Sequence, residues 1–202
     1  MAPRLPTPKP LRVATAIATV ALALGLLALG QGAAWAQAGV GAPEVRPPTL
    51  GQVGKDVMWL PTHEAVVDRM LGLARLQASD YLIDLGSGDG RLVIGAAQRG
   101  ARAHGIEYNA NLVALAQRNA AAAGVAERAT FEKADIFEFD YSKADVITLF
   151  LLPELNLQLR PTLLRMRPGT RIVSNSFDMG DWEPDGRVQV KDKDCRIYCD
   201  AL

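Results

Sequence analysis

The stretch YLIDLGSGDGRLVIGAA, running from Tyr81 to Ala97, decides the fold. It opens with a short apolar run, places Gly86, Gly88 and Gly90 at alternate positions, and then repeats Leu92, Val93, Ala96 and Ala97 at helical spacing. That order predicts a strand, a glycine turn and a helix. Glycine lets the backbone turn sharply and come close to a ligand with no Cβ in the way. The helix is expected to begin at about Gly90, where its free N–H groups and positive dipole end suit an anionic or polar group.

Working outward, Arg102 to Glu107 predicts a second strand and Asn111 to Ala123 an alanine-rich helix stopped by Gly124. Ala129 to Lys133 and Ala144 to Leu149 predict the third and fourth strands. Pro153 to Met166 predicts a helix that Pro161 kinks or splits, and Arg171 to Phe177 a fifth strand. Upstream, Val66, Val67, Met70, Leu71 and Leu73 predict a helix from about His63 to Leu76, with Thr62 as its N-cap. Two short strands are expected in the tail, around Val188 to Val190 and Cys195 to Cys199. Strands alternating with helices imply an α/β fold, a Rossmann-like doubly wound and mainly parallel sheet whose ligands sit at the strand C-terminal ends.

Acidic residues fall at those ends. Glu107 closes the second strand 21 residues after Gly86, where a carboxylate accepts hydrogen bonds from ribose hydroxyls. Asp135 follows the third strand, placed to accept from an adenine amine with Ile136 as an apolar wall beside it. Asp84, at the end of the first strand, is expected to order the glycine turn by accepting backbone N–H bonds. Asp89 is a candidate partner for a ligand amine, and Ser87 belongs to the turn between them. A dinucleotide fingerprint needs its third glycine where this chain has Arg91, so nicotinamide dinucleotides are the lesser reading.

Composition limits the rest. Lysine plus arginine and aspartate plus glutamate stand at 22 each, so no net field points to nucleic acid. Cys195 and Cys199, in an expected strand, would sit about 13 Å apart, too far for a disulfide, and read as half-buried thiols. His63 and His104 show no ligand spacing, so no metal site is expected.

At the front, Arg4, Lys9 and Arg12 precede an uncharged, largely apolar run from Val13 to Leu29, and Ala34-Trp35-Ala36 offers small residues where a signal peptidase reads. Residues 1–38 therefore read as a signal peptide or a membrane anchor. Residues 39–58, with Pro43, Pro47 and Pro48, read as a linker, and 59–202 as one domain. The expected location is membrane-associated or exported, with the side of the membrane open.

With those residues in hand, DLGSGDGR, the acid-tipped GIEYN at 105–109 and KAD at 133–135 resemble motifs I, II and III of class I methyltransferases that use S-adenosylmethionine (SAM). LPTHEAVVDRML and the run LFLLPELNLQLRPTLLRMRPGTRIVSNSFDMGDWEPD resemble a bacterial branch related to mitochondrial protein-lysine methyltransferases acting on ATP synthase c-subunit and adenine nucleotide translocase. The resemblance implies SAM as cofactor, with Asp84, Gly86, Gly88, Asp89, Glu107 and Asp135 as its contacts alongside Ser87 and Gly90. It implies a protein lysine as acceptor, in a substrate that can itself be membrane-embedded. Leu152, Pro153 and Glu154 after the fourth strand, with Thr62 and His63 opposite, are the substrate-pocket candidates. A small-molecule or lipid acceptor, or a non-catalytic exported nucleotide-binding domain, stays open as an alternative.

Overall fold

The computed structural model describes Thr49, residues 58–191 and the backbone of residues 200–201. The expected leader or anchor, nearly all of the linker, and both Cys195 and Cys199 lie outside the described residues. Among the described residues no helix is long and apolar enough to cross a membrane.

Five parallel strands form the main sheet: β1 (Tyr81–Leu85), β2 (Arg102–Glu107), β3 (Ala129–Lys133), β4 (Val146–Leu149) and β5 (Arg171–Ser174), in the order β3-β2-β1-β4-β5. The order steps outward from β1 in both directions, so the winding reverses between β1 and β4, the kind of switch point that opens a ligand crevice. The bounds of β1, β2 and β3 match the sequence reading, while β4 starts two residues later and β5 stops at Ser174. The expected strand over Phe177 ends early because the chain turns at Ser176, whose φ of 64° leaves the extended region. In the tail, β6 (Val188–Gln189) pairs antiparallel with β7 (Asp200–Ala201) in a separate two-stranded sheet, with Val188 opposite Ala201.

Successive residues along a strand face opposite sides of the sheet, and that alternation sorts the core into two layers. Leu82 and Val146 join Val66 and Met70 of α1 (Glu64–Leu73), Leu92 and Val93 of α2 (Arg91–Gln98), and Ala116 of α3 (Ala110–Ala122). Ile83, Leu85, Ile147 and Leu149 face the other way, against Leu155, Leu159 and Leu163 of α4 (Pro153–Leu163). Burying each such Leu or Ile contributes about 1.5–3 kcal/mol. The N-cap of α1 is His63, whose Nδ1 accepts from the Ala65 N–H at 3.2 Å. This corrects the expectation for Thr62, which is buried one residue upstream. Pro161 does not split α4; the helix carries it near its end and stops at Leu163, short of Met166.

One buried polar residue of α4 fixes a loop at the ligand end of the sheet. Asn156 is fully buried and its Nδ2 donates to the carbonyls of Phe177 (3.0 Å) and Asp178 (3.1 Å). Replacing Asn156 with Ala removes that donor, and the expected loss is about 1–3 kcal/mol in chemical denaturation. An unchanged unfolding midpoint contradicts this account of the loop.

Candidate active site

The glycine turn is seated on the end of β2. Gly86 N–H and Ser87 N–H both donate to the Ile106 carbonyl at 2.9 Å, and Gly90 N–H closes the turn on the Ser87 carbonyl at 2.9 Å. Gly86, Gly88 and Gly90 hold φ of 80°, 53° and 85°, a region where a side chain is strained. Gly88 N–H donates to Glu107 Oε2 at 3.0 Å. Glu107, the residue expected to hold a ribose, therefore also orders the turn, the task expected of Asp84. Its other oxygen, Oε1, accepts from Asn109 N–H at 2.8 Å. Burial pushes the Glu107 carboxyl upward, and backbone N–H groups of Asn109, Gly88 and Tyr108 act against that.

Asp84 points into the sheet instead. It is 3% exposed, and its Oδ1 accepts from Thr148 Oγ1 at 2.7 Å across the β1–β4 pairing. Burial is the main cause that raises its pKa to about 7; the Thr148 bond opposes the shift, and the charges of Glu107 and Asp89 add to it. Three carboxyl groups, those of Asp84, Glu107 and the Arg91-paired Asp89, thus line the cleft together. Such a cluster suits a ligand carrying positive charge.

Asp89 is engaged by Arg91 in a fork, with Nε to Oδ1 at 3.0 Å and Nη2 to Oδ2 at 2.6 Å. Asp135 Oδ1 accepts from Phe137 N–H at 3.0 Å, and Ala134 and Ile136 line the cleft on either side of it. Ser87 is buried, and its Oγ has no hydrogen-bond partner among the described residues.

Of the expected residues, the cleft gathers Thr62, Asp84, Gly86, Ser87, Gly88, Asp89, Glu107 and Asp135 on its walls. Gly90 lies behind the turn, where an added Cβ would stand 2.6 Å from Phe131. His63, Pro153 and Glu154 are not among the lining residues: His63 turns to cap α1, Pro153 opens α4, and Glu154 is an acid of that helix's first turn. Leu152, also expected there, does line the cleft, and Leu155 joins it.

Several wall residues lie outside any motif in the local sequence. Trp59 covers the glycine turn from upstream with Leu60 beside it on the cleft wall, and Phe150 and Phe177 stack at 6.2 Å between ring centres after β4 and β5. The rule that ligands gather at strand C-terminal ends would have pointed to both phenylalanines. No local pattern marks Trp59.

The cleft's residues fit SAM on structural grounds. An acid at the β2 end, an acid with an apolar neighbour after β3, and a helix start beside a tight turn offer the groups that the ribose, adenine and amino-acid parts of such a molecule would need. Buried Asp84 gives this site a pH signature. Because its folded pKa is raised, ionising Asp84 costs stability progressively as pH rises from about 4 towards 7, and the full cost remains above that. Asp84→Asn keeps an acceptor for Thr148 and abolishes the titration. The difference in melting temperature, variant minus wild type, is expected to become more positive between pH 5 and pH 8; a constant difference contradicts the shift.

Residues 84–186, about half of the chain, match the ANTKMT methyltransferase domain family. A protein-lysine N-methyltransferase of Saccharolobus islandicus (strain REY15A) is 41% identical over 139 residues, covering 67% of this chain and 86% of the relative. The lysine N-methyltransferase of the ATP synthase c-subunit from Homo sapiens is 31% identical over 128 residues, covering 63% of this chain and 54% of the relative, so the chain spans about half of that protein's length. Among solved structures, an RNA methyltransferase of Salinibacter ruber in complex with S-adenosyl-L-homocysteine shares 52% identity with a TM-score of 0.63, over 65% of this chain and 87% of that one. With the sheet order, the glycine turn and these matches together, the chain belongs to the ANTKMT methyltransferase domain family, a family of SAM-dependent methyltransferases.

Proposed function

We propose that this protein transfers the methyl group of SAM to the side-chain amine of a lysine in a protein substrate. The observation that carries the reading is the make-up of the cleft's walls: carboxyl and backbone N–H groups gather around the glycine turn, and an apolar side, here called its mouth, follows β4 and β5. Glu107 would hold the ribose and Asp135 with Ile136 the adenine. The turn from Gly86 to Gly90 and the start of α2 would hold the amino-acid end, beside Asp84 and Asp89. The cofactor supplies a methyl group already activated by a sulfonium leaving group. What this chain adds is position and the exclusion of water.

The mouth suits an amine. Phe150, Phe177, Leu151, Leu152 and Leu155 line it, and Leu152 is 42% exposed at its rim. An ammonium brought among such side chains is desolvated, which lowers its pKa and favours the neutral amine that attacks. The likeness to the lysine N-methyltransferases of Saccharolobus islandicus and Homo sapiens supports a lysine acceptor.

An RNA acceptor is the second reading, favoured by the likeness to the RNA methyltransferase of Salinibacter ruber. The balance of 22 basic and 22 acidic residues speaks against it, because affinity for nucleic acid rests largely on neutralising phosphates. We also propose that the apolar run from Val13 to Leu29 keeps the domain at a membrane. A phosphatase active only outside the cytosol, fused to the C-terminus, reports the side on which the domain lies.

Two measurements test the reading. Titrating S-adenosylhomocysteine into the purified protein is expected to give heat of binding that Glu107→Ala reduces at least tenfold in affinity; no heat with the wild type contradicts it. Mass spectrometry of proteins from wild-type and deletion cells is expected to show a methyllysine that disappears with the gene. Loss of an RNA methyl mark with every lysine mark intact favours the RNA acceptor instead.

A further inference from the structure

The segment that enters α1 crosses the site before the helix begins. Met58, Trp59, Leu60, Pro61 and Thr62 all line the cleft. Met58 and Leu60 are exposed at 57% and 38%, whereas Trp59 between them is half-buried and Thr62, where the segment enters α1, is buried. These five residues form a strap along the cleft, with Trp59 as its inward-facing aromatic. Trp59 rests on the glycine turn, where an added Cβ on Gly88 would stand 2.7 Å from Trp59 Nε1. Downstream the strap is anchored by α1, whose Val66 and Met70 are fully buried.

The Arg91 side chain ties the strap to the turn. Arg91, the first residue of α2, grips Asp89 with Nε and Nη2, and its remaining Nη1 donates to the Thr62 carbonyl at 2.6 Å. The planar fork fixes the guanidinium against the carboxylate and leaves one nitrogen directed at the strap. Arg91 is 26% exposed and Asp89 15%, so the pair is better shielded from water than most surface ion pairs.

We propose that Arg91 is a positioning residue that fastens the 58–62 strap over the glycine turn, so that cofactor binding and the seating of Trp59 are one coupled event. The proposal rests on the reading that the cleft binds SAM. It assigns Arg91 a task beyond neutralising Asp89: the arginine acts through the Thr62 carbonyl and Trp59.

The test uses the full chain and S-adenosylhomocysteine. In a background with Trp35→Phe and Trp182→Phe, Trp59 is the remaining tryptophan, and its emission is expected to shift as ligand is added. Arg91→Ala is expected to abolish that shift at saturating ligand and to weaken affinity at least tenfold. Trp59→Ala is expected to weaken affinity similarly, and the double variant to be within threefold of the weaker single one, because both remove the same strap contact. Arg91→Lys preserves the charge beside Asp89 without the fork, and is expected to recover the wild-type melting temperature while leaving affinity reduced. Multiplicative losses in the double variant, or full recovery of affinity and emission shift by Arg91→Lys, overturn the proposal. If the wild type itself gives no binding heat, the cofactor reading fails and the proposal falls with it; if the wild type binds and Arg91→Ala binds equally well, only the fastening role fails.

Discussion

Two adjacent strand ends share a small set of hydrogen bonds, and the cleft depends on them. The Ile106 carbonyl accepts from both Gly86 and Ser87, while the next residue, Glu107, takes the Gly88 N–H on its carboxylate. A buried carboxylate is costly unless hydrogen-bonded, and here backbone N–H groups meet it on both oxygens. The turn is therefore held in shape by the residue proposed to hold the ribose. The proposed cofactor seat and its proposed clamp are one hydrogen-bonded unit, which leaves little room for either to shift alone.

Beyond that junction the site is arranged by chemical type. Carboxylates collect around the glycine turn, with Asp84 deepest and raised to about 7 by burial, a suitable setting for a ligand whose amino and sulfonium groups are positive. Aromatic and aliphatic side chains collect at the mouth, where a charge must be shed before an amine can react. Gly88 belongs to both halves, since its N–H meets Glu107 and the space where a Cβ would be is taken by Trp59.

Much of this was legible in the sequence. The bounds of β1, β2 and β3 follow from short apolar runs closed by glycine or an acid, and Glu107 and Asp135 follow from their place after those runs. What failed to show depends on contacts distant in sequence. Asp84 reads locally as a turn residue, yet its partner is Thr148, 64 residues on. Thr62 reads as a helix cap, but His63 takes the position and Thr62 lends its carbonyl to Arg91. Glu154 reads as a pocket acid, yet of that stretch the cleft is lined by the expected Leu152 and, in the first turn of α4, by Leu155. Arg91 stood out only as the residue that breaks a dinucleotide fingerprint, because nothing near it in the chain announces a bond to Thr62.

The central claim is that the β2 end and the glycine turn form a single seat for SAM. A crystal structure of the protein with S-adenosylhomocysteine tests it most directly. The account predicts both ribose hydroxyls on Glu107, the adenine beside Asp135 and Ile136, and the amino-acid end against the Gly86–Gly90 turn. A ligand bound elsewhere, or bound here with Glu107 turned away from the ribose, would contradict it.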